Sequence, residues 1–362
     1  MSQSLRMLAK DKEGQPLTGE GISRWKLSTG HAFREHICSK ILCIMVGNGV
    51  QIAGIAIVGI LSSAHGLIST WSSKGLLWTG MIISYLLCAI VSGYMCVWLW
   101  RCINRNSEGW SSISWCNSCA LSSIGFAIFT VLSIAQYLND GTTEISLPVY
   151  FTLLILWIFI SIPLSRLGGL IAARSNESVP FSIRISQNQR EGPTRELWPW
   201  FLVLVAGLLP FGAIALELYI VLINIAFGTF HRAFVFVSIL SLVVVISCAI
   251  VSVGLTYRCL LSEDWMWWWK AFCASSLAGP YMFILTVKYL IIDLRGSSGP
   301  ISAVVYLGHS MILCVAIMLF TGTVGFLSAF AFLRILNFLK DLGYPISLLT
   351  KNPESEMQMR YV

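Results

Sequence analysis

Residues 198–227 read WPWFLVLVAGLLPFGAIALELYIVLINIAF, and Glu217 is the only charged residue among them. As a helix rising 1.5 Å per residue this stretch is about 45 Å long, against a bilayer hydrocarbon core of about 30 Å. It is long enough to cross a membrane and must tilt or bend to fit. Pro210 sits near its middle, lacks an N–H, and crowds the carbonyl four residues back, so a kink is expected there. Seven further apolar runs are long enough to span: 41–63, 75–100, 114–137, 147–171, 232–257, 270–292 and 303–333. The predicted fold is therefore all-α, a polytopic integral membrane bundle of eight transmembrane helices. Pro163 and Pro280 are expected to bend the fourth and seventh spans as Pro210 bends the fifth. Linkers mostly of four to thirteen residues make consecutive spans antiparallel neighbours.

Composition agrees with this reading. Of the 362 residues 56% are hydrophobic and 11% are charged, where a soluble domain carries about 25% charged residues. Mean hydropathy is +0.76. Too little polar surface exists to cover a water-soluble globule, which excludes a soluble enzyme, a disordered scaffold and a nucleic-acid-binding domain. The net charge of +7 is informative by position. One set of loops, with both ends of the chain, holds 19 Lys and Arg; the opposite loops hold 3. By the positive-inside rule both termini face the cytosol. The expected organisation is a cytosolic segment 1–40, a transmembrane domain 41–333 and a cytosolic tail 334–362. The opening MSQSLRMLAKDKEGQ has no apolar core of a cleavable signal, so the first span is expected to direct membrane insertion. The sequon Asn176-Glu177-Ser178 falls in a cytosolic loop on this topology and stays unmodified.

No catalytic motif emerges: there is no His-Glu-x-x-His, no Gly-x-Ser-x-Gly and no phosphate-binding glycine loop. The reading is of a non-enzyme without cofactor or metal. Cys116 and Cys119 have metal-type spacing but no second pair beyond Cys102 across the same loop; they read as small residues entering the third span. Ionisable residues inside spans are better clues because they are costly to insert. Glu217, seven residues after Pro210, either lines a polar pocket at the kink or reaches interfacial water. Arg166 and Lys288 lie near span ends and can snorkel, and His309 reads as a satisfied buried histidine. Gly47, Gly49, Gly54 and Gly59 thin the first span; Thr321, Gly322, Thr323 and Gly325 thin the last. Such stripes form close helix–helix seams or receive another protein's span, and both readings stay open. Trp265, Trp267, Trp268 and Trp269 are expected to anchor the seventh span at the headgroup layer.

Four stretches resemble one family, the nonaspanins (the transmembrane nine superfamily). AGLLPFGAIALELYIV at 206–221 is similar to the family's leucine-proline-phenylalanine-glycine helix with its following Glu. LTYRCLLSEDWMWWWKAF at 255–272 resembles its acidic pair, tryptophans and basic residue. LFTGTVGFLSAFAFLRIL at 319–336 resembles the last helix, and WKLSTGHAFREH at 25–36 followed by GNGVQI resembles the entry to the second. The resemblance implies a family with a lumenal domain and one span ahead of the part seen here. It also implies a coatomer-read lysine signal near the C-terminus, where this chain instead has RILNFLKDLGYPISLLTKNPESEMQMRYV. In function it implies sorting: residence in Golgi and endosomal membranes, and delivery of other membrane proteins, including those with glycine-rich spans. The expected partners are membrane lipids and client transmembrane segments, and not nucleic acid. The alternative from the residues alone is a secondary transporter or channel using the kinked helix with Pro210 and Glu217.

Overall fold

Proline divides three of the long apolar runs, and the helices that result set the architecture. A computed structural model describes residues 39–64, 74–104, 109–140, 147–175, 198–226, 230–261, 267–292 and 300–341. Helices α1 (Ser39–Ala64), α2 (Lys74–Asn104) and α3 (Trp110–Asp140) are continuous. The fourth span is α4 (Leu147–Leu156), a π-helical turn at Trp157–Ser161, and α5 (Ile162–Arg174). The fifth is α6 (Trp198–Ala206) and α7 (Leu208–Ala226), and α8 (Phe230–Leu261) is the sixth. The seventh is α9 (Trp267–Ser276) with α10 (Ala278–Ile292), and α11 (Pro300–Asp341) is the eighth. Eight spans are long and apolar enough to cross a membrane, and no strand occurs among the described residues, so the all-α eight-span prediction holds. Segment 1–40 up to residue 38, the tail beyond 341, the sequon and Trp265 lie outside the described residues. Helix α11 continues eight residues past the expected boundary at 333, to Asp341.

The proline effects are more specific than a generic bend. Helical order breaks at Gly207 and at Leu277, each three residues before its proline. Pro210 and Pro280 cannot donate to the carbonyls of Ala206 and Ser276, and the ring crowds that turn, so regular helix lapses just after the orphaned carbonyl. Pro163 acts differently: the turn before it widens into the π-helical segment, which shifts the hydrogen-bond register by one residue.

Packing is uneven along the bundle. The main core gathers at the end carrying Arg101, Arg258 and Arg334, where Leu42, Leu99, Ile113, Leu260, Phe272 and Leu333 are almost wholly buried. Trp267 and Trp268 stack on each other at 4.4 Å, and Trp268 lies 5.8 Å from Phe326. These two indoles are therefore core residues and not headgroup anchors; Trp269 is half-buried. Within the seventh span they fall on the face turned to α11, and burial of so large an apolar surface outweighs the interfacial preference. Helix α11 is the hub: it packs on α8, α9 and α10 of its own half, and on α1 and α3 of the other. At the far end the helices turn exposed apolar side chains outward, among them Ile57, Leu61, Val131 and Phe159.

Candidate functional site

The two helix breaks meet. A Cβ placed on Gly207 would fall 2.7 Å from the Leu277 Cβ, so the break in the fifth span rests directly on the break in the seventh. The Tyr281 hydroxyl donates to the Leu204 carbonyl at 2.8 Å, and the Phe211 and Tyr281 rings meet edge to face at 5.7 Å. Each proline thus frees backbone where a neighbouring broken helix covers it, the condition under which irregular backbone survives inside a bilayer.

The glycine seams are occupied by the chain's own helices at five of the six predicted positions. Built onto Gly49, a Cβ would overlap the Thr323 hydroxyl and stand 2.5 Å from the Leu319 carbonyl, so α1 and α11 approach backbone to backbone there. Gly47 gives space to the Asn117 amide and Cys96, and Gly54 to Cys88. Gly322 lies under the Phe272 ring, and Gly325 faces Ser252 and Ser275. Gly59 differs, for a Cβ there would meet nothing within 4 Å.

Polar groups tie the same helices together. Asn48 donates through Nδ2 to the Ile44 carbonyl at 2.9 Å and to Asn117 Oδ1 at 3.2 Å. Asn117 Nδ2 donates to Ser92 at 3.1 Å and Ser165 at 3.4 Å, so one asparagine joins α1, α2, α3 and α5. On the other side of α11, Ser252 and Ser275 share a 2.7 Å bond, with Ser252 also donating to the Ala271 carbonyl.

The sequence model of the endomembrane protein 70 family matches residues 3–299. The chain belongs to this family, the nonaspanins. It is 47% identical over 326 residues to transmembrane 9 superfamily member 12 of Arabidopsis thaliana, covering 90% of this chain and 50% of the relative. Member 11 of the same plant is 42% identical over 90% of this chain and 49% of its own length. Human member 2 is 27% identical over 85% of this chain and 46% of its own. The chain spans about half the length of the curated relatives it matches. No solved structure matches it.

In this nonaspanin Pro210 is buried and Glu217 is half-buried, flanked by the exposed Leu216 and Leu218. Glu217 has no hydrogen-bond or ion-pair partner among the described residues. Arg166 is held by the protein and does not simply snorkel: it donates to Ser111 at 3.2 Å and lies 4.3 Å from the Trp115 ring centroid. His309 bonds within its own helix, to the Val305 carbonyl at 2.9 Å, and Lys288 is exposed. Cys116 and Cys119 are free thiols, and no cluster of three His, Cys, Asp or Glu suited to a metal occurs among the described residues. Lys270, at the start of the seventh apolar run, is 2% exposed and lies 5.8 Å from the Trp200 ring.

Sequence reasoning missed Asn48, Gln51 and Asn117. The signal was available, since amides inside apolar spans need partners, but only charged residues drew notice. The close approach at Gly49 has a measurable consequence. Gly49→Ala should lower the unfolding free energy in detergent by about 1–3 kcal/mol, because backbone and Cβ atoms of α11 cannot rotate away. Gly59→Ala should leave it unchanged or raise it by up to about 1 kcal/mol through helix propensity. Equal effects at the two sites would contradict the seam.

Proposed function

We propose that this nonaspanin localises other membrane proteins within Golgi and endosomal membranes, binding their transmembrane segments and performing no chemistry on them. Membership of the endomembrane protein 70 family carries the reading. Both termini are cytosolic on this reading, and the partners are lipids and client spans. The α1 and α11 seams are filled from within, so the client surface is placed on lipid-facing helix. Gly59, between the exposed Ile57 and Leu61, and the unpartnered Glu217 offer a close-approach point and a polar handle there. Loss of the gene should deplete a set of membrane proteins from the cell surface in quantitative surface proteomics, with re-expression restoring them. An unchanged surface proteome would contradict the proposal.

A second reading rests on the mated breaks at Gly207 and Leu277. Adjacent broken helices are how secondary transporters build sites near the midplane, and Glu217 would supply the charge. Reconstituted into liposomes, a transporter should move an ion or solute in a manner abolished by Glu217→Gln. Flux that ignores that substitution would count against this second reading.

A further inference from the structure

Between α1, α2, α3 and α11 lies a cavity of about 270 Å³. Its floor is Asn48, Gln51, Tyr85 and Ser122, and its mouth is formed by α3 and α11, where Ile124 and Met311 are about half exposed. Asn48 is nine residues into α1, about 14 Å along it, which places the floor near the middle of a bilayer about 30 Å thick.

The hydrogen bonds of the floor decide what it accepts. The Asn48 amide nitrogen is committed to the carbonyls of Ile44 and Asn117, and Gln51 Nε2 donates to the Tyr85 carbonyl at 3.1 Å. Only nitrogen can donate to a carbonyl, so the orientation of both amides is set. Their oxygens, Asn48 Oδ1 and Gln51 Oε1, are left without a partner among the described residues. Tyr85 and Ser122 bond to each other at 3.1 Å. The site therefore presents two spare amide acceptors and one spare hydroxyl hydrogen, that of whichever of Tyr85 and Ser122 accepts, and a hydroxyl-bearing ligand can answer both.

Charge and polarity narrow the occupant. No ionisable carboxylate, amine or guanidinium lines the cavity, so nothing there would compensate a charged headgroup or an ion at this depth. Most of the wall is aliphatic, which disfavours a sugar or another many-hydroxyl solute. We infer that the cavity is a binding site for a neutral membrane lipid bearing a free hydroxyl, which donates to Gln51 Oε1 or Asn48 Oδ1 while the apolar body leaves between α3 and α11. Sterols and diacylglycerols share this chemistry.

The chain, purified intact and reconstituted in phosphatidylcholine nanodiscs, can be tested with a photoactivatable cholesterol and a photoactivatable diacylglycerol, labelled residues being mapped by mass spectrometry. Labelling by one or both should concentrate on cavity residues relative to the lipid-facing Phe159, and the probe that labels identifies the source. A Cβ on Gly125, which lines the cavity, meets nothing within 4 Å, so Gly125→Leu adds bulk from open space at the entrance and should reduce cavity labelling about tenfold. Gln51→Leu should reduce it about threefold or more through loss of an acceptor, and esterifying the probe's hydroxyl should do the same. Thermal unfolding of both variants separates loss of the site from loss of the fold, and Gly125→Leu should match the parent. Cavity labelling no higher than at Phe159, or labelling indifferent to Gly125→Leu and to the hydroxyl, would overturn the inference.

Discussion

Helices in lipid gain almost nothing by burying apolar surface against one another, because the lipid tails are equally apolar. Contact has to come from close backbone approach and from hydrogen bonds unavailable in hydrocarbon. The approach of α1 to α11 at Gly49 and Thr323 is where this constraint bears hardest. The last span there meets the first described one, and through α1 and α3 it joins the first four spans to the last four. With a side chain at position 49 the two helices would be pushed apart, and the inter-half contacts along them would open together. The asparagine knot around Asn117 depends on the same geometry, since Gly47 on α1 leaves the room into which its amide fits.

This arrangement divides the molecule along its length. At the basic end, aromatic stacking of Trp267, Trp268, Phe326 and Phe330 and a continuous apolar core make a rigid base. Beyond that base few side chains are wholly buried, and the cavity between α1, α2, α3 and α11 lies next to it in the middle of the bundle. The proposed function would draw on both: a base that fixes helix positions, and a less tightly packed half whose surfaces face the bilayer. Glu217 and Gly59 both lie away from the filled seams, and both are available to the membrane phase.

Much of the fold was legible because eight long apolar runs leave few alternatives in a bilayer, and periodicity hardly matters when all faces are apolar. The prolines were legible as disruptions, but not the form each would take. Pro210 and Pro280 break their helices one turn earlier, whereas Pro163 follows a π-turn. The small-residue stripes were visible, yet whether a glycine faces its own chain or the bilayer depends on helix rotation, which separates Gly49 from Gly59 ten residues away. The tryptophans misled for a related reason. An indole prefers the interface when it can reach it, but Trp267 and Trp268 lie on the inward face, where packing decides. Asn48, Gln51 and Asn117 were overlooked because uncharged amides stand out less than a lone carboxylate, although their bonds organise more of the structure.

The central claim, that the α1 backbone at Gly49 lies directly against the Thr323 side chain and the Leu319 carbonyl of α11, is tested most directly by a double-mutant cycle. Unfolding free energies are measured for the parent, Gly49→Ala, Thr323→Ala and the double variant in one detergent. Thr323→Ala removes the hydroxyl that a Cβ at 49 would overlap, so Gly49→Ala should cost less in that background, with a coupling of about 0.5 kcal/mol or more. Additive effects, with a coupling below about 0.3 kcal/mol, would place the two residues apart and contradict the account.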